Sequence, residues 1–205
     1  MALIFEKKVQ EKYIAGLMQQ IANGLDHLHS MKILHRDIKP GNILVSSDGL
    51  VKLSDFGISR TMDSTIAVAN TFVGTSTYMS PERALGSNYN YSADIWSVGV
   101  CIYELAMGQY PFKGNLGSFP ALFDALCQQP VPELDPDRFS QEICDFVAVS
   151  MVREPEARWT ASQLISHPFI LKELQNGTCQ QFVAEFLYDV GLLTAPPEES
   201  NVVYA

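Results

Sequence analysis

The sequence predicts a mainly α-helical domain with one short β-hairpin, an α+β fold overall. Apolar residues recur mostly at three- and four-residue steps from Val9 to Leu28, which is typical of a long amphipathic helix ending near Ser30. A second segment, from Ala93 to about Met107, is apolar almost all round, so we expect a helix in the middle of the domain. Two β-prone runs on either side of an Asp-Gly turn supply the hairpin.

Composition narrows the class of protein. The chain has 205 residues, 47% of them hydrophobic, which is enough for one globular domain with a sizeable core. Its net charge of -9 and the absence of basic clusters argue against a nucleic-acid partner. The four cysteines form no metal-ligand pattern and no signal peptide is visible, so we expect reduced thiols in a cytoplasmic protein. The most apolar stretch is too short to span a bilayer, so no membrane partner is expected.

The predicted hairpin brings two polar side chains together. Its strands cover residues 43–45 and 50–53, with Asp-Gly in the turn between them. That pairing places Asn42 and Asp55 side by side at the open end. Two ligands of one metal ion need this arrangement.

Further helices are predicted downstream. Ser92 is expected to cap the central helix and Gly108 to end it. Other helices are expected near 120–128, 140–151 and 160–166. A capping box at Thr160 and Gln163 opens the last of these, and Pro168 marks its end.

The remaining segments divide into a loop and a C-terminal extension. Residues 58–80 are rich in Ser and Thr without periodicity, which is typical of a long mobile loop. Phe182 and Phe186 indicate a short terminal helix with one apolar face, followed by a flexible tail from Ala195. We expect His27 and His29, on the long helix, to be packing or solvent-facing residues.

Two motifs carry the chemistry. They are His35-Arg36-Asp37-Ile38-Lys39-Pro40-Gly41-Asn42 and Asp55-Phe56-Gly57. In this order and spacing they resemble the catalytic loop and the metal-binding turn of eukaryotic protein kinases. Three more landmarks follow in family order: Ser80-Pro81-Glu82, Asp94-Ile95-Trp96-Ser97 and Glu156-Ala157-Arg158-Trp159-Thr160.

The resemblance implies a protein kinase-like fold. Residues 1–171 would form its C-terminal lobe and residues 172–205 an extension. The N-terminal lobe is expected to be absent from this chain, because no Gly-rich loop or phosphate-holding lysine precedes the catalytic motif.

The same resemblance implies roles for five residues. Asp37 would orient the substrate hydroxyl and accept its proton, while Lys39 would neutralise the γ-phosphate of ATP. Asn42 and Asp55 would hold Mg²⁺, an ion that prefers hard oxygen donors. Leu44 would be a further nucleotide-contacting position.

A second group of residues would support the site. By resemblance, Thr75 steadies the catalytic loop and Asp94 holds the loop backbone. Glu82 would pair with Arg158 and anchor the end of the activation loop. Arg36, beside the catalytic aspartate, implies regulation by loop phosphorylation, because a phosphate can pair with it.

Within the family, residues 70–75 and 78–83 resemble MAP kinase kinases. Those dual-specificity enzymes phosphorylate Thr and Tyr of a MAP kinase and are activated by a MAP kinase kinase kinase. Thr71 falls on their second activating site, and Thr65, six residues earlier, matches the spacing of the plant-type members. Ser64 is the alternative for the first site, since Ala67 stands where animal members carry theirs.

Two functions from different classes remain open. The first is a dual-specificity kinase of which this chain is a fragment. We expect the fragment to be inactive alone and to bind ATP at about millimolar affinity or weaker. The second is a binding module without the other lobe, a decoy that holds a MAP kinase or its activator.

Overall fold

The structure, a computed structural model, describes residues 9–55, 77–112 and 118–194. Over these residues it contains eight α-helices and one two-stranded sheet, which confirms the predicted mainly α fold with a single hairpin. The helices are α1 (Glu11–Ser30), α2 (Pro81–Ala84), α3 (Ser92–Met107), α4 (Phe119–Cys127), α5 (Gln141–Ser150), α6 (Ala161–Ile165), α7 (Pro168–Glu173) and α8 (Cys179–Asp189). None of these helices is long and apolar enough to cross a membrane.

Helices α1 and α3 supply the centre of the core. The apolar face predicted for α1 is buried, with Ile14 and Leu25 fully inaccessible. Helix α3 is buried at most of its positions, and Trp96 and Ile102 have no exposed surface. This burial confirms the predicted central position of α3. A helix that is apolar on every side is most stable when neighbouring elements cover every side.

The two ends of α3 differ in how well they were predicted. Gly108 ends the helix in the left-handed conformation, with φ of 69°, as expected. The cap prediction for Ser92 is wrong, because Ser92 is already the first helical residue. Its backbone N–H donates to the side-chain oxygen of Asn90 at 2.8 Å, so Asn90 satisfies this exposed donor instead.

The later helices confirm the predicted positions, with one helix missed. Thr160 and Gln163 form the expected capping box at the start of α6. Pro168 follows the end of α6 but also opens α7, which the sequence analysis did not predict. Proline suits this position since its fixed φ is helical and its missing N–H would have no helical partner. The side chain of His167 caps α7 by accepting from the Phe169 N–H at 3.2 Å.

The hairpin consists of β1 (Ile43–Val45) and β2 (Val51–Leu53), paired antiparallel. The register sets Ile43 opposite Leu53. One residue further out, the Ser54 N–H donates to the Asn42 carbonyl at 3.0 Å. The pairing therefore runs to the residue just before Asp55, which confirms that Asn42 and Asp55 stand at the same end.

Helix α8 confirms the predicted terminal helix and its apolar face. Phe182, Val183 and Phe186 are buried in the core. The ring of Phe186 lies 5.5 Å from the ring of Tyr13 on α1. The predicted domain boundary at residue 171 falls inside α7 and stays a prediction. The loop predicted at 58–80 lies outside the described residues up to position 76, and so does the tail from residue 195.

Candidate active site

Asp94 fixes the backbone of the predicted catalytic loop. This residue lies in the first turn of α3 and is only 2% exposed. Its carboxylate accepts the backbone N–H of His35 at 3.0 Å and that of Arg36 at 2.8 Å. The ring Nε2 of His29 donates to the same carboxylate at 2.9 Å. Charge-assisted hydrogen bonds of this kind are among the stronger ones, so the loop is held by its main chain.

His29 was expected only to pack or to face solvent, so its bond to Asp94 was missed. The sequence shows a histidine near the end of a helix and nothing that connects it to a residue 65 positions away. His35, inside the loop, is fully buried, and burial lowers its pKa. The lowered pKa favours the neutral form of the His35 imidazole within the anchored loop.

Arg36 adopts a conformation that its neighbours must hold. Its φ is 70°, in the left-handed region that non-glycine residues rarely enter. The guanidinium of Arg83, on α2, donates to the Arg36 carbonyl at 2.7 Å. Strained residues persist where surrounding contacts determine them, and they cluster at functional sites. Arg83 was not among the predicted site residues.

Three predicted site residues meet at Asp37. Its side chain is about 30% exposed. One carboxylate oxygen accepts from the Lys39 ammonium at 2.8 Å and from the Asn42 side-chain nitrogen at 2.9 Å. The Asn42 nitrogen also donates to the Asp37 carbonyl at 2.8 Å. A carboxylate, an ammonium and an amide thus share one small, partly open surface.

The open end of the hairpin supplies oxygen donors suited to a metal ion. Asn42 is 6% exposed and commits its side-chain nitrogen to Asp37, so its side-chain oxygen is the atom that could bind a metal ion. Asp55 is exposed and has a left-handed φ of 57°. Within the described residues, no three His, Cys, Asp or Glu side chains gather as a metal cage. This donor set fits Mg²⁺, which takes few protein ligands and fills its shell with water and phosphate oxygens.

Leu44 lies on the outer face of the hairpin. It is 54% exposed and pairs across the strands with Lys52. Together with Asp48 and Leu50 it lines an open depression at this face. An exposed apolar side chain close to Asn42 is available to a flat, apolar part of a ligand.

Glu82 and Arg158 form a buried bidentate ion pair. The two N–O distances are 2.9 and 3.2 Å, and the residues are 5% and 4% exposed. The guanidinium also donates to the carbonyls of Ser92 and Val152, at 2.7 and 2.9 Å, and lies 5.3 Å from the ring of Trp96. These contacts satisfy the buried charge and tie α2 to the start of α3.

The segment that enters α2 is fixed on α3 by an unpredicted tyrosine. The Tyr78 hydroxyl donates to the carboxylate of Glu104 at 2.5 Å. The Ser97 hydroxyl donates to the Tyr78 carbonyl at 2.7 Å. Burial raises the pKa of Glu104, whereas the hydrogen bond from Tyr78 stabilises its charged form and acts in the opposite direction. Thr65, Thr71, Ser64 and Thr75 lie outside the described residues, so their roles stay predictions.

Three features together are typical of the catalytic lobe of a protein kinase fold. They are the loop anchored by Asp94, the carboxylate that accepts from both Lys39 and Asn42, and the oxygen donors at the open end of the hairpin. Residues 2–170 match the family described as protein kinase domain. The chain belongs to the protein kinase family, and the resemblance predicted from the motifs is confirmed.

The chain is similar to plant MAP kinase kinases and to a yeast protein kinase. The chain is 44% identical over 172 residues to mitogen-activated protein kinase kinase 7 of Arabidopsis thaliana, covering 81% of this chain and 56% of that protein. It is 42% identical over 171 residues to mitogen-activated protein kinase kinase SIPKK of Nicotiana tabacum, covering 80% and 48%. Serine/threonine-protein kinase ppk11 of Schizosaccharomyces pombe is 41% identical over 176 residues, covering 86% and 56%. The chain thus spans about half the length of these relatives.

Proposed function

We propose that this chain is the catalytic lobe of a dual-specificity protein kinase of the MAP kinase kinase type. Its substrate would be the activation loop of a MAP kinase, and its activator a MAP kinase kinase kinase. The observation that carries the proposal is the Asp37 carboxylate, open to solvent, on a loop whose backbone Asp94 holds. Sequence similarity to two plant MAP kinase kinases supports the branch.

Asp37 has the chemistry of a positioning group and a base. The substrate hydroxyl oxygen forms a bond to the γ-phosphorus of ATP, the bond from that phosphorus to ADP breaks, and the hydroxyl proton goes to Asp37. Lys39, whose ammonium is 2.8 Å from that carboxylate, would neutralise charge on the transferred phosphoryl group. Asn42 and Asp55 would hold Mg²⁺, which would neutralise charge on the phosphates. Leu44 would offer an apolar surface to the nucleotide base.

Loop phosphorylation would regulate the site through Arg36. A phosphate on Thr71, and on Thr65 or alternatively Ser64, would pair with this guanidinium. Thr75 would steady the catalytic loop. We place this regulation in the cytoplasm, in keeping with four free cysteines.

The experiment is a transfer assay with the natural protein purified from its own cells. Given Mg²⁺ and ATP, it should place phosphate on both Thr and Tyr of a MAP kinase loop, as read by mass spectrometry. Asp37→Asn should reduce the rate about 10²- to 10⁴-fold. Asp145→Asn, the same charge change on the exposed side of α5, is the control and should keep the rate.

Three results would contradict the proposal: full activity of Asp37→Asn, phosphate on Ser or Thr alone, or no transfer by the unmutated protein. The last would favour the binding module. The 205-residue chain by itself should bind ATP at about millimolar affinity or weaker, because it carries few of the contacts that hold the nucleotide. Calorimetry checks that value.

A further inference from the structure

Helix α8 lies beyond the family match and nevertheless reaches the hairpin. The match ends at residue 170, whereas α8 covers Cys179–Asp189. The helix is tied to α1 by the ion pair of Glu185 with Lys12 at 2.8 Å and by a hydrogen bond from Tyr13 to Asp189. Its other side meets the hairpin turn.

The meeting point of hairpin and helix is Gly49. This glycine is buried and has a φ of 85°. A Cβ added to it would lie 2.1 Å from the Gln180 carbonyl oxygen and 2.9 Å from the Ala184 nitrogen, both in the backbone of α8. Real Cβ atoms essentially never approach other atoms so closely. The turn thus sits directly on the main chain of α8.

A side chain of α1 holds the same turn from another direction. The amide nitrogen of Gln20 donates to the Gly49 carbonyl at 3.0 Å. Its amide oxygen accepts from the Val51 N–H, also at 3.0 Å. Gln20 thus bonds to one donor and one acceptor at the start of β2, much as a neighbouring strand would.

A strand pair of three residues is too short to hold its own direction. The hairpin has only the pairs from Ile43–Leu53 to Val45–Val51, so few contacts of its own fix its direction. Asn42 and Asp55 stand one and two residues beyond those pairs. Asn42 is also bonded to Asp37, so the placement of this end depends both on the catalytic loop and on what holds the turn.

We propose that α8 is a positioning element for the site: by seating the Gly49 turn, it sets where Asn42 and Asp55 stand. The metal-holding part of this inference rests on the proposed function, whereas the mechanical part does not. Residues outside the family match would then tune a site inside it.

Gly16→Ala tests the coupling without touching the hairpin. A Cβ there would lie 2.9 Å from the Cys179 carbonyl oxygen, so α8 must shift away from α1. Amide hydrogen exchange is followed by NMR in the 205-residue chain. Exchange should accelerate about tenfold or more in α8 and also at residues 46–54, since both segments would open together.

The metal end has its own readout in the same sample. On titration with Mg²⁺ and ATP, the side-chain amide signals of Asn42 should respond at several-fold higher concentration in Gly16→Ala than in the unmutated chain. If α8 exchanges faster while the hairpin amides and the titration stay unchanged, α8 is peripheral and the inference is overturned. If the unmutated chain shows no response at Asn42, the metal-holding part of the inference fails, while the exchange result still decides the coupling. The proposed function is decided separately, by the transfer assay on the natural protein.

If Gly16→Ala does not fold, Gly49→Ala tests the coupling between α8 and the hairpin from the hairpin side. Its control is Gly86→Ala, which also has a left-handed φ, 67°, but open space around the added carbon. Gly49→Ala should speed exchange in α8 and Gly86→Ala should not. Equal exchange of the α8 amides in the two variants would overturn the contact between turn and helix.

Discussion

Two aspartates of the candidate site, Asp37 in the catalytic loop and Asp94 beside it, are held in opposite ways. Asp94 is 2% exposed and accepts two backbone N–H groups, so its position is set by the main chain. Asp37 has a side chain about 30% exposed, and its partners are the flexible ammonium of Lys39 and the amide of Asn42. The comparison teaches that one carboxylate builds the loop while the other is left free to exchange partners with a substrate.

Arg158→Ala should have the largest effect on stability, because it removes the partner of a buried carboxylate, Glu82. Glu82 would stay buried without its partner, and an uncompensated buried charge costs about 3–5 kcal/mol of unfolding free energy. Urea unfolding measures the loss. The exposed pair of Lys172 and Glu142 is the control, and Lys172→Ala should leave the unfolding midpoint unchanged. Equal midpoints for the two variants would show that burial does not decide the strength of these pairs.

Asp94→Asn tests whether the Asp94 carboxylate holds the backbone of the catalytic loop. The amide keeps the shape but has only one accepting oxygen for two backbone donors, so one N–H loses its bond. An unsatisfied buried donor costs about 1–3 kcal/mol. The amide NMR signals of His35 and Arg36 should shift along with this loss. Unchanged stability would mean that the loop backbone does not depend on Asp94.

His167→Asn tests how a buried histidine, in contrast to the buried carboxylates, makes stability depend on pH. Burial lowers the pKa of His167 from 6.5, so below that pH the unfolded chain binds a proton that the folded chain resists. Unfolding free energy should therefore fall as pH drops from about 7.5 to 5.5, by at most about 1.4 kcal/mol per unit from this residue. Asparagine retains an acceptor for the Phe169 N–H.

The measurement is the difference in pH slope between that variant and the unmutated chain. The slope should flatten in His167→Asn without vanishing, because burial also lowers the pKa of His35. Glu104, whose pKa burial raises, titrates in both chains and drops out of the difference. Identical slopes would show that His167 takes up a proton in the fold as readily as in the unfolded chain.

Local patterns made much of the fold predictable. The long periodicity of α1, the all-apolar α3, the Asp-Gly turn and the Thr160–Gln163 capping box depend on neighbours in sequence, and each was found in place. Helices α2 and α7 were missed, since four and six residues are too few for a helical period to emerge. The bond from the Ser92 N–H to Asn90 was also missed, because Asn90 and Ser92 are both polar residues suited to the start of a helix.

The site was predictable where motifs mark it and unpredictable where distant side chains support it. Asp37, Lys39 and Asn42 lie within one short motif and meet in space. Two long-range bonds could not be read from the sequence: that of Arg83 to the Arg36 carbonyl, 47 positions away, and that of Gln20 to the hairpin turn, 29 positions away. Such contacts join a side chain to a backbone group, and every residue type offers the same backbone group.

Asp37→Asn should have the smallest effect on stability, about 0.5 kcal/mol or less, because a partly exposed pair contributes little. The direct comparison is the unfolding free energy of Asp37→Asn against Asp94→Asn, under one set of urea conditions. We expect Asp94→Asn to lose at least about 1 kcal/mol and Asp37→Asn to remain near the unmutated value. The reverse order would mean that Asp37 builds the loop, and the division between an anchoring and a reacting carboxylate would be wrong.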